Sequence, residues 1–435
     1  MQRRLPFLRF DADLAIGMNG VYSHRTSPLA PPRRSAQLGP SPVTHAMTAS
    51  ATRSFQPFEL EHYQSQHEHD VEINLADSSV QCVSTREWLS DDEQQRLLDT
   101  PLYYPMVNGT TELRRAIAEL YAGARPEHVL VTVGAAQANS MVAATLLHPG
   151  DEVIVISPGY RQIWGLAHNT GCTVRELQLR PERDWRPDLD ELDALVTPRT
   201  RMVSVVNPNN PTGVAFSEGE MARVVAACER VGAWLHADEV YAGTERAGGV
   251  ETPSFWGKYS KLVCTNSLSK AYGLPGLRIG WSVSDAGTIE DLWRRHEYAV
   301  IAAAAPSMTM AAMALRPDKR ARLIERQRAL SRAGHAVLHE WLSTQNARFS
   351  VRPSVATAIA FVRYELPLAA RPDARGASVG SFEFAEHIRK TQSVLVAPGG
   401  LMGAEQHLRI TLGYQADKVR RALDRIAAAA EEFAD

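Results

Sequence analysis

Only four cysteines occur in 435 residues, Cys82, Cys172, Cys228 and Cys264, and they are scattered without a C-x-x-C pair. That argues against a disulfide framework and fits a reduced, cytoplasmic protein. Long apolar runs are also missing: none reaches the roughly 18 residues that a membrane span needs. The start, Met1 to Phe10, is basic, but Asp11 and Asp13 cut its apolar stretch too short for a secretory signal. Neither charge dominates, with 47 basic against 49 acidic side chains and a net charge of −2. A nucleic-acid or membrane-surface partner is therefore not expected. No internal repeat is apparent, which leaves out solenoids and propellers.

What remains has the composition of a globular protein, 44% hydrophobic and 22% charged. The length suffices for one large and one smaller domain, each with its own core. Residues 24–56 are rich in Ser, Thr, Pro, Ala and Arg and lack a periodic apolar face, so disorder is expected there. Met47 opens a more ordinary protein start, and residues 1–46 read as a mis-assigned start or a dispensable tail.

From about residue 110 the pattern alternates. Arg114 to Tyr121 reads as helix, His128 to Val133 as a strand ending at Gly134, and a helix follows through Leu147. Asp151–Ile156, Thr173–Leu179, Arg201–Val206, Ala233–Ala237 and Lys261–Thr265 repeat the short Val/Ile-rich theme. Such runs separated by helical stretches predict an α/β fold, a mainly parallel sheet covered on both faces. Ala302–Leu315 leads into a charged helical stretch, Asp318–Leu342, of the kind that bridges two domains. Fewer strands follow: Ala358–Arg363, Val394–Val396 and His407–Thr411, with helices at Phe382–Lys390 and Gln415–Phe433. These predict a smaller α+β unit.

The most informative segment is Thr265 to Trp281, where a strand runs into two serines, Lys270 and a glycine-rich turn, with Arg278 eight residues beyond the lysine. An amine for a Schiff base, hydroxyls and a guanidinium for a phosphate dianion, and glycines that let the backbone come close suit a phosphate-bearing aldehyde. Further segments join it. Asn207–Gly213 is an Asn-Pro-rich turn directly after a strand, where open α/β sheets bind ligands. Gly134-Ala135-Ala136 opens a helix whose backbone N–H groups can face an anion. Asp238-Glu-Val-Tyr241 closes a strand 32 residues before Lys270.

In this combination and order, roughly over residues 70–430, the chain resembles the class I/II aminotransferases, pyridoxal-5′-phosphate (PLP) enzymes of fold type I. The resemblance implies that Lys270 holds PLP and shuttles the substrate α-proton, that Ser267, Arg278, Ala135 and Ala136 bind the phosphate, and that Asp238 keeps the pyridine nitrogen protonated. It also implies that Tyr241 and Asn210 reach the phenolic oxygen, that Tyr160 stacks on the ring, and that Asn210 and Arg409 hold the substrate carboxylate. Tyr104 fits the family's Y-x4-G-x3-L-R pattern with Gly109, Leu113 and Arg114. That position reaches the neighbouring subunit's cofactor phosphate, so a homodimer with shared active sites is expected. The expected organisation is a tail over 1–56, an arm over 57–105 serving the small domain and dimer interface, a large PLP domain over 106–305 and a small domain over 306–435.

One stretch departs from the family. Where many members have an apolar strand and a glycine-rich turn near the substrate, this chain has Leu75-Ala-Asp-Ser-Ser-Val80. That resembles the branch of amino-acid-modifying enzymes of antibiotic pathways. The expected activity is transfer of an α-amino group from an amino acid to a 2-oxo acid. The alternatives are an O2-dependent oxidase or monooxygenase, or another PLP lyase-type reaction, on a specialised amino acid. A silent PLP-fold regulator lacks support, because no helix-turn-helix domain is present. His67-Glu-His69 reads as a solvated face, since i and i+2 spacing lacks the geometry of a helical metal pair. No metal and no dinucleotide site is expected.

Overall fold

The computed structural model describes residues 55–247, 250–366 and 378–433. The expected disorder over residues 24–54 and the expectation for residues 1–46 lie outside the described residues.

Seven strands form the larger sheet: β1 (Val129–Thr132), β2 (Glu152–Ser157), β3 (Thr173–Gln178), β4 (Thr200–Val206), β5 (Trp234–Asp238), β6 (Leu262–Ser267) and β7 (Gly280–Val283). Their order is β1-β7-β6-β5-β4-β2-β3, with every pair parallel except the two made by β7. Leu130, Ile154, Val203, Leu235 and Val263 are buried, as strands covered by helices on both faces require. β7 was not anticipated. It begins at Gly280, at the end of the glycine-rich segment, and pairing with β1 and β6 supplies what local pattern did not.

Local signals set the strand ends. Ser217 caps the helix Glu218–Val231 in a capping box with Glu220, and Gly232 ends it at φ +68°. Two residues later β5 begins, and it carries Asp238 to the carboxyl edge of the sheet. One helix differs from its expected bounds: it runs over Thr111–Ala118, because Thr110 accepts a hydrogen bond from Leu113 N at 3.3 Å and starts it early. Tyr121 lies beyond that helix, buried, with its hydroxyl accepting from Trp281 Nε1 at 3.0 Å.

A second sheet contains Ala397–Pro398, His407–Thr411, Ile359–Tyr364 and Phe349–Val351, all antiparallel. Ile73–Asn74 pairs in parallel with Val394–Leu395, so an early segment joins this late one. Its core, including Trp341, Phe384 and Tyr364, is separate from the clusters around the larger sheet. The helix Pro317–Leu342 packs against the C-terminal helix Ala416–Glu431. Close approach makes Gly334 necessary there: a Cβ would meet the Leu412 carbonyl oxygen, and no side chain can relieve a backbone contact.

Candidate active site

One cavity opens at the carboxyl ends of the parallel strands, where open α/β sheets bind ligands. Lys270, Asp238, Tyr241, Ala135, Ala136, Tyr160, Asn210, Ser267 and Arg278 line it together. Register explains part of the convergence: Asp238 stands beside Val206 on β4 and Thr265 on β6, and Ser267 beside Gly280 on β7.

At one end the helix Gly134–Leu146 begins without a side-chain cap, and Ala135 and Ala136 of its first turn line the cavity with Ser267, Ser269 and Arg278. Gly134 sits at φ +73°, and a Cβ there would meet Arg278 Nη2. Any other residue would push the guanidinium aside. This pairing of helix N-terminus, hydroxyls and guanidinium is a donor set for a phosphate dianion.

At the other end Asp238 is buried, and burial raises its pKa against the opposing pull of its hydrogen bonds and of Lys270. One carboxylate oxygen accepts from Asn139 Nδ2 at 2.9 Å and the other from Val240 N at 3.2 Å. Asn139 is fixed in turn, because its Oδ1 accepts from Thr265 Oγ1 at 2.8 Å. His236 Nε2 lies 3.1 Å from the same oxygen, and its Nδ1 lies 2.9 Å from Ser204 Oγ. Burial lowers the His236 pKa to about 3, so the ring is neutral. Its Nε2–H therefore donates toward Asn139 while Nδ1 accepts from Ser204. A buried carboxylate without a cationic hydrogen-bond partner, aimed into a cavity, suits a protonated ring nitrogen.

Between the ends, Lys270 Nζ donates to Ser78 Oγ at 2.8 Å and Tyr241 Oη to the Ser78 carbonyl at 3.4 Å. Tyr160 Oη donates to Glu61 at 3.0 Å, and burial followed by the Glu61 charge holds that phenol well above its ordinary pKa. The phosphate cradle, the amine and the buried carboxylate line one cavity and offer partners for the phosphate, aldehyde and ring nitrogen of PLP, so the residues present fit that group.

A profile of the family "Aminotransferase class I and II" matches residues 77–426. The chain belongs to that family. Capreomycidine synthase of Streptomyces vinaceus is 30% identical over 330 residues, covering 75% of this chain and 79% of that protein. Arginine–pyruvate transaminase of Pseudomonas aeruginosa is 29% identical over 345 residues, 78% and 84% of the two chains. The crystal structure of a PLP-dependent aminotransferase from Streptococcus suis superposes with a TM-score of 0.79 at 27% identity, covering 87% of this chain and 99% of that one. The protein is thus a PLP-dependent, aminotransferase-like enzyme of fold type I that acts on an amino acid.

Two expected site residues stand apart. Arg409 is buried behind Asn210: Nη1 donates to Asn210 Oδ1 at 3.2 Å and Nη2 to the Ala76 carbonyl at 2.5 Å, while Nε has no partner among the described residues. Tyr104 is 83% exposed and lies outside the cavity of its own chain. Among the polar cavity residues, Asn139, Ser78 and Glu61 were not assigned from the sequence, and Ser269 is the second of the two serines before Lys270. His236 behind them was missed too, although a histidine at a buried position of an apolar strand, two residues before Asp238, was a legible signal. His67 and His69 face glutamates, His69 with its side chain 87% exposed. Among the described residues no helix is long and apolar enough to cross a membrane.

Proposed function

We propose that the enzyme is an aminotransferase that moves the α-amino group of an amino acid to a 2-oxo acid. The observation that carries this reading is Lys270 and the buried Asp238 lining one cavity, with a dianion cradle at one end and the Arg409–Asn210 pair at its wall. Bound PLP supplies a protonated ring that accepts the electron pair released when a bond at the substrate α-carbon breaks. Lys270 Nζ provides the covalent link to the cofactor and, once free, takes and returns the α-proton. Asp238 holds the ring nitrogen protonated, and the Asn139–His236 pair fixes its carboxylate. Because Arg409 occupies Asn210 Oδ1, the Asn210 amide turns its N–H donors to the cavity. Arg409 retains unused N–H groups for a carboxylate.

A second copy completes this reading. Leu98, Leu102, Tyr103, Tyr104 and Met106 are exposed along one short segment, an apolar surface that a homodimer covers while bringing Tyr104 of the partner subunit to the phosphate.

Glu61 favours a particular substrate. The cavity-lining charges are Glu61, Asp238, Lys270 and Arg278, and Glu61 is the one without a task toward the cofactor. It forms no ion pair among the described residues. A cationic side chain on the amino acid would meet it, in keeping with relatives named for arginine and capreomycidine. The capreomycidine synthase relative also supports a second reading, a lyase-type reaction on a specialised amino acid, beside which an O2-dependent reaction is the further alternative.

Purified protein incubated with basic amino acids, with and without a 2-oxo acid, separates the two. Conversion of the cofactor to its amine form under anaerobic conditions, with ping-pong kinetics, is expected. Oxygen uptake without an acceptor would sink the aminotransferase reading.

A further inference from the structure

The Ala76–Ser79 loop, the stretch in which this chain departs from the family pattern, is tied to both halves of the site. Asp77 Oδ1 accepts from Ser78 N at 2.6 Å and Ser79 N at 3.1 Å, which folds the loop on itself. Ser79 is buried; its hydroxyl donates to the Ser269 carbonyl at 2.7 Å, next to Lys270, and its carbonyl accepts from Thr411 Oγ1 at 2.7 Å. The Ala76 carbonyl accepts from Arg409 and the Ser78 carbonyl from Tyr241. With the backbone held at each step, the Ser78 hydroxyl is the side chain of this loop that lines the cavity, 2.8 Å from Lys270 Nζ.

We infer that Ser78 is a positioning residue for the proton-transferring amine: whenever Lys270 Nζ is not covalently engaged, the Ser78 hydroxyl accepts one of its N–H bonds and keeps it on the substrate side. A neutral amine has two N–H bonds and one lone pair. In the arrangement present, the Ser78 oxygen takes one N–H, which leaves the lone pair for the α-proton. The amine rides on four rotatable bonds, and a fixed acceptor narrows where it sits without changing its charge. Ser78 suits that task because the loop around it cannot shift without breaking the contacts of Ser78 with Tyr241, of Ser79 with Ser269 and of Ala76 with Arg409.

The inference rests on Lys270 being the cofactor lysine, and the experiment tests that separately. Wild-type, Ser78→Ala and Ser78→Thr proteins are freed of cofactor, and covalent PLP uptake is followed by absorbance and by mass after borohydride reduction. If wild type shows no covalent adduct at Lys270, the reading of the lysine fails. With the adduct present, Ser78→Ala is expected to take up PLP several-fold more slowly to the same final occupancy. In turnover its kcat should fall about 10- to 100-fold with little change in KM, because the amine is misplaced rather than lost. The kinetic isotope effect with α-deuterated substrate should rise, and Ser78→Thr, which keeps the hydroxyl, should restore both. An unchanged isotope effect in Ser78→Ala, or equal impairment of Ala and Thr, would show that the loop matters only for packing and would overturn the inference.

Discussion

Asp238 and Glu61 are the two carboxylates of one cavity, and they are held on opposite terms. Around Asp238 each neighbour is fixed by the next: Val240 N and Asn139 hold the carboxylate, Thr265 and His236 hold Asn139, and Ser204 holds His236. In a low-dielectric interior such a chain is costly to leave incomplete, and it therefore specifies one geometry. Glu61 sits exposed on the helix Glu59–His67 with a hydrogen bond from Tyr160. Its exposure to water screens its charge. On the proposed reading, the fixed deep end serves the cofactor and the exposed rim is where substrate preference is set.

If that contrast is right, changes at the deep end should lower turnover for every substrate alike. Lys270→Ala should do most, removing the covalent cofactor adduct and lowering kcat by at least about 10³-fold, read by absorbance and steady-state rates. Asp238→Ala should leave PLP bound but lower kcat by about 10³-fold, and near-normal turnover would break the comparison at its firmest point. His236→Gln should have a smaller effect on rate, with a signature in stability. A folded-state pKa of about 3 against an ordinary 6.5 means that between these values the unfolded chain binds the extra proton. Stability conferred by the neutral ring is thus full above pH 6.5 and is lost as pH falls toward 3. Denaturant unfolding across that range should show a shallower slope in the variant than in wild type. At the rim, Glu61→Gln should lower kcat/KM for arginine or lysine about two- to fivefold while leaving neutral amino acids nearly unchanged, the size of one exposed charge contact. A uniform loss would mean that Glu61 serves only to hold Tyr160. Smallest of all, His69→Ala should change neither stability nor rate measurably, since that side chain is exposed.

Much of this was open to a reader of the sequence. The Val/Ile-rich runs that became β2, β4 and β6 are buried on both faces, and only one kind of sheet buries them so. Lys270, Arg278 and Asn210 announced themselves because turn chemistry surrounds them. Asn139 did not, since its partner is distant in the chain, 126 residues to Thr265, and His236 gave a signal only as a histidine in an apolar strand. β7 was hidden by its own glycine, and the early end of the Thr111–Ala118 helix by a threonine cap.

By itself the sequence determined the order of strands and turns, and with it which residues would arrive at the carboxyl edge of a parallel sheet. Hydrophobic period and turn chemistry are local, so they survive in a linear reading. Only the tertiary structure decided what those residues touch: that Arg409 lies behind Asn210 and that Ser78, 192 residues away along the chain, meets the amine of Lys270. Such contacts depend on how separately stabilised elements pack, and no local propensity records a partner so far along the chain.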